Sequence, residues 1–286
     1  MHDKELERRQ IEFFSWVVER THIQQKKDRG DPWPWTEDPI FQEYKFTNAF
    51  RERDRTTVWF RKHIRGPLRN RPEVYMATVI FRWFNLIETG ETLLKHNLHI
   101  DWDPQRAYDA IITQDKWITG AYMIKSPTSM NKVQGLCETI SNVWKDQERF
   151  LKKCPWESLQ KMNEWLEGYP FLGPFLAYEL VTDLRHTYIG ANAADINKWA
   201  NAGPGAMRGL NRIYGRYLNY TSKRHDWCGE MKELLNFSFV PGTMRGLKEV
   251  MELRDIEHSL CEFDKYERVR LGQGAPRSKY KYEEKI

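Results

Sequence analysis

Leu166-Glu167-Gly168-Tyr169-Pro170-Phe171-Leu172-Gly173-Pro174-Phe175-Leu176-Ala177-Tyr178-Glu179-Leu180-Val181-Thr182-Asp183-Leu184 is the stretch on which the reading of this chain turns. It reads as a helix end, a tight glycine-bearing turn and a second helix. Gly168 is expected to cap the first helix in a left-handed conformation, which glycine reaches without a Cβ penalty. Pro174 falls in a first helical turn, where a missing N–H costs nothing. Ala177, Leu180, Val181 and Leu184 then follow the i, i+3, i+4, i+7 rule and make one apolar face. Taken alone, the stretch is an ordinary corner between two helices, because Gly-x-Pro turns are common.

Working outward, helical periodicity dominates. Residues 4–27 place Phe14, Val17, Val18 and Thr21 on one face, and Gly30 to Pro39 breaks that helix with three prolines and a Trp-rich loop. Residues 73–95 are expected as the most apolar helix, with Arg82 and Asn85 as polar intruders three apart. Further helices are expected from Asp103-Pro104 to about Thr113, over 130–153, and over 155–167. A loop at Thr119-Gly120-Ala121-Tyr122 lies among them. After the turn come a glycine-rich helix over 203–216 and a last helix over 253–266, anchored by Ile256, Leu260 and Phe263. No strand-like alternation persists. The expectation is an all-α fold, one helical domain over residues 1–268 and a basic tail over 269–286, extended or partly disordered.

Composition narrows the function. The chain has 286 residues, 40% of them hydrophobic and 14% aromatic, with 12 Trp, which argues for a folded core rather than disorder. A net charge of +5 is too small by itself to prove a polyanionic partner. The 4 cysteines, Cys137, Cys154, Cys228 and Cys261, show no metal-binding spacing and are expected as reduced thiols, so neither a metal nor a cofactor is expected. No apolar run approaches a membrane span and the charged start is not a signal peptide, so a cytoplasmic protein without membrane contact is expected. Nucleotide-binding glycine loops are missing too, which disfavours a dehydrogenase or a phosphate-loop kinase.

Charged and aromatic residues supply the candidate sites. Between Arg51 and Arg71 stand 8 Lys/Arg against 2 acids. On a helix Asn48, Arg51 and Arg55 would share a stripe, which is either a solvated basic face with pairs such as Arg51–Asp54 or an anion site. Arg82, enclosed by Phe81, Trp83 and Phe84, needs a partner: a buried carboxylate or a ligand. Arg208, Arg212 and Arg216 recur every four residues, as a phosphate-facing stripe or an exposed charged face. In the last helix Glu257, Cys261 and Asp264 share a face, so two carboxylates are candidates for one pocket. His258, Glu262 and Lys265 form another row.

The order of these segments resembles two related groups. The hairpin, with Gly173 in the place of a second hairpin glycine and Asp195 some twenty residues later, resembles helix-hairpin-helix DNA glycosylases. Several motifs add to it: Pro34-Trp35-Thr36-x-Asp38-Pro39-Ile40, Phe46-x-Asn48-x-Phe50-Arg51-Glu52-x-Asp54-Arg55-x-Thr57-x-Trp59, Phe81-Arg82-Trp83-Phe84-Asn85, Gly203-Pro204-Gly205-Ala206-x-Arg208-Gly209-Leu210-Asn211 and Ile256-Glu257-His258-x-Leu260-Cys261-Glu262-Phe263-Asp264-Lys265-Tyr266. Together, over about residues 10–270, they resemble the helical proteins of phage thymine hypermodification: the helical domain of 5-hydroxymethyluracil DNA kinases, the α-glutamyl/putrescinyl-thymine pyrophosphorylases and the amino acid:DNA transferases.

That resemblance implies a glycosylase-like helical fold acting on double-stranded DNA that contains a modified thymine, in the host-cell cytoplasm if the protein is phage-encoded. An amino acid or polyamine would displace pyrophosphate from the 5-methylene of pyrophosphorylated 5-hydroxymethyluracil, prepared by a separate DNA kinase. Asp195 is then the first candidate base, with Glu257 or Asp264 second. Asn48, Arg51, Arg55, Arg82, Asn85 and Lys265 are candidates for holding pyrophosphate and substrate. Trp35 and Trp83 would stack on a flipped base. Gly168, Gly173, Arg208 and Arg212 would hold DNA phosphates. Phe175 stands where bifunctional glycosylases carry a lysine, which argues against Schiff-base chemistry. The rivals are a monofunctional glycosylase using Asp195 and a non-catalytic DNA-binding module that works with the kinase.

Overall fold

The computed structural model describes residues 2–120 and 124–282. Ala121 and Tyr122 of the expected loop, Met1 of the charged start, and 283–286 of the expected tail lie outside the described residues. In chain order the helices are α1 (His2–Arg29), α2 (Pro39–Glu43), α3 (Arg55–Phe60), α4 (Gly66–Leu68), α5 (Val74–Phe84), α6 (Ile87–Lys95), α7 (Pro104–Ile111), α8 (Lys132–Lys145), α9 (Gln147–Leu151), α10 (Leu159–Glu167), α11 (Pro174–Leu184), α12 (Pro204–Ile213), α13 (Trp227–Ser238) and α14 (Leu253–Arg270). Among the described residues the only strand-like feature is an antiparallel bridge between Tyr44 and Lys279. The fold is all-α. Its helices sort into two units, one made of residues up to Asp54 together with those from Ala200 onward, the other of Arg55–Trp199.

The second unit is built around α5. Every residue of α5 is buried, as expected of a helix that is apolar all round. Phe60 stacks on Phe81 at 4.9 Å and Tyr75 on Phe150 at 3.8 Å, while α11 lays the fully buried Ala177, Leu180, Val181 and Leu184 against the same core. The helix expected over 73–95 is two helices. Asn85 takes φ 48, ψ 41 and its N–H closes on the Phe81 carbonyl at 2.7 Å. Asparagine enters the left-handed region more readily than other side chains, so the chain turns there before α6. Likewise the helix expected over 130–153 breaks at Asp146, between α8 and α9.

In the first unit, α1 buries Phe13, Phe14, Trp16, Val17 and Thr21 and packs on α12, α13 and α14. Phe13 meets Phe263 edge-on at 5.4 Å and Phe14 stacks on Phe237 at 5.8 Å. The two helices α12 and α14 approach at backbone distance. A Cβ on Gly209 would lie 2.4 Å from the Leu260 carbonyl oxygen, so glycine is required there, and one on Gly205 would lie 2.3 Å from the Cys261 sulfur, which would have to turn aside. Glu252 and Asp255 close a reciprocal capping box at the start of α14. The proline-rich loop is pinned as its tryptophans suggest: Trp35 donates to the Asp31 carbonyl at 2.7 Å, and Trp33 stacks on Tyr280 at 5.4 Å and Tyr282 at 5.2 Å. Tyr280 and Tyr282 of the tail are thus docked on this loop.

Candidate functional site

In each unit one cluster of charge involves the candidate residues. In the second unit, α5 carries Arg82 into the core, where no part of it reaches solvent. Its Nε and Nη2 donate to the two oxygens of Asp183 on α11 at 2.6 and 3.1 Å; Nη2 also donates to the Thr57 hydroxyl at 3.1 Å, and Nη1 to the Asn85 side-chain oxygen at 2.8 Å. Arg65, itself buried, donates to the same Asp183 at 3.1 Å. The guanidinium of Arg82 lies 5.0 Å from the Phe60 ring centre and 5.6 Å from that of Phe81. One carboxylate therefore serves two cations in an aromatic shell. Of the two roles open to Arg82 in the sequence, the structure shows the partner of a buried carboxylate, and Asn85 helps to hold it there.

Asp195 has a similar outcome. Its carboxylate accepts from the Ser158 hydroxyl at 2.7 Å, from Leu159 N–H at 2.7 Å and from Gln160 N–H at 3.1 Å. These are the donors at the start of α10, which a helix leaves without internal partners. Asp195 is a cap supplied from 36 residues away, and a carboxylate so engaged is poorly placed to take a proton or activate water. Trp83 is fully buried and Trp35 is nearly so, leaving neither ring a face for a base. Gly168 ends α10 with φ −68, not in the left-handed region. Phe171 takes that conformation instead, at φ 64. Gly173, at φ −75 and ψ 175, begins α11 without a side-chain cap. Arg55, the first residue of α3, is exposed.

The first unit holds the other cluster, formed where residues 47–54 lie against α14. The stripe expected of Asn48, Arg51 and Arg55 does not form, because only a short 3-10 turn over Arg51–Arg53 is helical before α3 starts at Arg55. The segment is held by side chains instead. Asp255 accepts from Arg51 N–H at 3.0 Å, Glu262 from Thr47 N–H at 2.9 Å, and the Ser259 hydroxyl donates to the Ala49 carbonyl at 3.2 Å. Asn48 donates from its backbone to Asp54 at 2.9 Å and from its side chain to the Arg53 carbonyl at 2.7 Å. Asp54 stands 3.3 Å from His258. Burial works to raise its pKa, but His258 and Arg51 outweigh it and hold Asp54 below the usual carboxylate range. Burial dominates at Asp255, which is raised.

Along α14, Glu257 pairs with Arg254, and its Oε1 lies 3.8 Å from where a Cβ on Gly203 would stand. Asp264 accepts from Arg208 at 3.0 Å and Arg212 at 2.7 Å. Glu257, Cys261 and Asp264 do share a face, as the spacing predicts, but that face packs on the α12 segment, so the two carboxylates meet different cations. Arg208 and Arg212 correspondingly turn to Asp264 as well as outward to Asn219 and Gln273. Lys265 is bound to Glu262 at 2.6 Å and stands over Phe46. The row of His258, Glu262 and Lys265 is not a surface ion-pair ladder: His258 faces Asp54, and Lys265 steadies the acceptor of Thr47. The roles of Thr57, Arg65, Asp183 and Arg254 were not legible as a site, since Arg65 and Asp183 are 118 residues apart and nothing in their local spacing links them.

Among the described residues there is no helix long and apolar enough to cross a membrane and no group of side chains suited to a metal ion. Residues 8–275 match the family described as 5-hmdU DNA kinase, helical domain. A 5-hmdU DNA kinase of Bacillus phage SP10 is 25% identical over 287 aligned residues, which cover 89% of this chain and 44% of that protein. The chain thus spans less than half the length of this relative. No solved structure matches.

Proposed function

The chain belongs to the family of the 5-hmdU DNA kinase helical domain, and from that premise we propose that it works in thymine hypermodification, transferring an amino acid or amine onto the 5-methylene of a pyrophosphorylated 5-hydroxymethyluracil in DNA. The observation that carries this reading is the clamp of residues 47–54 onto α14, which gathers Arg51, Asp54, Arg254, Glu257 and His258 around the start of one helix. In the proposed step the amine nitrogen attacks the exocyclic methylene carbon. The carbon–oxygen bond breaks with its electron pair going to the departing pyrophosphate, and the extra proton on nitrogen passes to a carboxylate. Glu257, paired with Arg254 at the start of α14, is the base in this reading; Asp195 caps α10. Arg51 and Arg254 meet the charge that grows on pyrophosphate, where a water-poor setting makes such stabilisation most effective. Separately, within the second unit, Arg55 is exposed on α3 and Gly173 has open space beside it at the start of α11, so each is a candidate phosphate contact in its own right.

A second reading is favoured by the match itself, which is to a helical domain of DNA kinases. In it the chain is a helical module that presents DNA to a separate kinase. One assay separates the two. DNA bearing 5-(pyrophosphoryloxymethyl)uracil is incubated with mixed amino acids and polyamines, digested to nucleosides and analysed by mass spectrometry. New N-linked thymidines support transfer, and DNA binding without product supports the module. Abasic sites would instead point to a glycosylase. Within the transfer reading, Arg51→Ala and Glu257→Gln are expected to lose product while remaining folded; full activity in both would remove the roles given to these residues.

A further inference from the structure

The first unit holds a cavity of about 330 Å³ that the proposed transfer does not use. Its walls come from α1, from α14 and from the end of α12 with the residues just after it, and five arginines line it: Arg8, Arg9, Arg212, Arg216 and Arg270. Two carboxylates, Glu12 and Glu267, share the wall. The side chains of Arg212 and Glu267 are 7% and 8% exposed, whereas those of Arg270 and Arg8 are 45% and 56% exposed. The cavity therefore has a buried end at Arg212 and opens toward Arg8 and Arg270.

Three of these guanidiniums are tied down along one edge only. Arg9 sets Nε and Nη2 against Glu5 at 3.0 and 2.9 Å. Arg212 donates from Nε to Asp264 at 2.7 Å and from Nη2 to Gln273 at 2.9 Å, and Arg270 donates from Nε and Nη2 to Glu267, both at 2.7 Å. Among the described residues the Nη1 of each makes no hydrogen bond. A Cβ on Gly215 would run into Arg9 Nη1, and Gly215 has φ 67, so glycine seats that guanidinium against the backbone just past α12. The charge around the cavity leans positive. Arg208 and Arg268 also turn to Asp264, so seven arginines share five carboxylates, Glu5, Glu12, Glu230, Asp264 and Glu267. The carbonyl ends of α12 and α14 draw Arg212 and Arg270 to this place, but Arg9 arrives from α1.

We propose that this cavity binds a small phosphorylated molecule, whose phosphate accepts from the Nη1 groups of Arg9, Arg212 and Arg270. Guanidinium forks bind phosphate oxygens through charge-assisted bonds, and the three oxygens of a phosphate monoester can meet donors from three helices at once. The cavity is at the lower end of the roughly 300–1,000 Å³ range of ligand sites. A duplex backbone presents a continuous line of charge, which suits neither this concavity nor the Glu12 and Glu267 carboxylates on its wall. Arg212 thus serves a small ligand and not a DNA strand. The cavity lies toward the end of α14, whereas the clamp of residues 47–54 gathers at its start. It is a second site on that helix and does not depend on the transfer reading.

Titration calorimetry of the full chain at fixed ionic strength tests this, with inorganic phosphate, thymidine 5′-monophosphate and thymidine as probes. Phosphate and the nucleotide are expected to bind and thymidine is not. Tighter binding of the nucleotide makes the occupant a phosphorylated metabolite, and equal binding makes it free phosphate; either supports the site. Arg9→Met and Arg270→Met are each expected to weaken that binding roughly 10- to 150-fold, the loss of one charge-assisted hydrogen bond. The melting temperature of each ligand-free variant checks its fold. Arg9→Lys keeps the charge and removes the fork, and is expected to weaken binding in the same direction even if Arg9→Met does not fold. A wild type that binds neither phosphate nor the nucleotide would overturn the inference, as would folded variants that bind within two-fold of the wild type. Variants that lose affinity for duplex DNA with phosphate binding unchanged would make these arginines backbone contacts and overturn it too. Each of these outcomes leaves the transfer reading standing.

Discussion

Replacing Asp183 by alanine tests the buried charge cluster most severely. The substitution removes the acceptor of three charge-assisted hydrogen bonds, two from Arg82 and one from Arg65, and leaves two guanidiniums with side-chain exposures of 0% and 3% without it. Removing one partner of a buried ion pair costs about 3–5 kcal/mol, chiefly because the other charge is stranded. Here two charges are stranded, so the cost is expected at or above the upper end of that range. At about 2–4 °C per kcal/mol for chains of this size, the melting temperature should fall by roughly 10–20 °C. Arg82→Met should cost less, because Asp183 keeps Arg65. Urea unfolding of both single variants and of the double variant gives the coupling between the pair directly. A loss below about 1 kcal/mol for Asp183→Ala would refute the reasoning, since it would mean that the cations find water or another anion at little cost. Arg82→Met that stays stable yet abolishes product formation would refute it differently, by making Arg82 a ligand group rather than a pillar of the core.

Three further outcomes follow from the described contacts. Asp195→Ala should cost about 1 kcal/mol as a lost helix cap and leave product formation unchanged once the protein is folded; a collapse in turnover at unchanged stability would restore Asp195 as a base. Gly209→Ala places a Cβ 2.4 Å from the Leu260 carbonyl oxygen and should destabilise by about 1–3 kcal/mol, measured by denaturant unfolding, whereas Gly173→Ala, which meets nothing, should be nearly neutral. Asp54 is held below its ordinary pKa by His258 and Arg51, so its contribution to stability is complete above about pH 4 and is lost as pH falls through the folded-state value. Unfolding measured from pH 6 down to pH 2 should therefore show a shallower acid limb in Asp54→Asn than in the wild type; parallel limbs would mean that Asp54 is not stabilised as an anion.

Local periodicity made much of the fold legible. The apolar faces of α11 and α14 are where their spacing puts them, because a helix encodes its buried side in residues three and four apart; in α1 Phe14, Val17 and Thr21 are buried as expected, but Val18 is half-buried and Phe13 and Trp16 are buried in addition. What escaped was set by contacts distant in sequence or by single backbone choices. Asn85 ends α5 through a left-handed conformation that asparagine permits but does not announce, and Phe171 adopts that conformation where Gly168 was the natural candidate. Arg82 showed that a buried partner was required without showing which, since Asp183 is 101 residues away. Asp195 carries a residue type fit for both catalysis and capping, and only its neighbours in space distinguish the two. The face of Glu257 and Asp264 was legible from α14 alone, but not that α12 would cover it.

The division of the chain has a consequence for its synthesis. Residues up to Asp54 belong to the same unit as those from Ala200 onward, with Arg55–Trp199 as a separate unit between them. A ribosome delivers the interior unit whole before it delivers α12, α13 and α14, the helices on which α1 packs and which carry the ring partners of Phe13 and Phe14. Of these four helices, α1 is made before the others and is completed only with them. Until then Phe13 and Phe14 lack their ring partners Phe263 and Phe237, and that interval is when the nascent protein is most open to aggregation or to a chaperone.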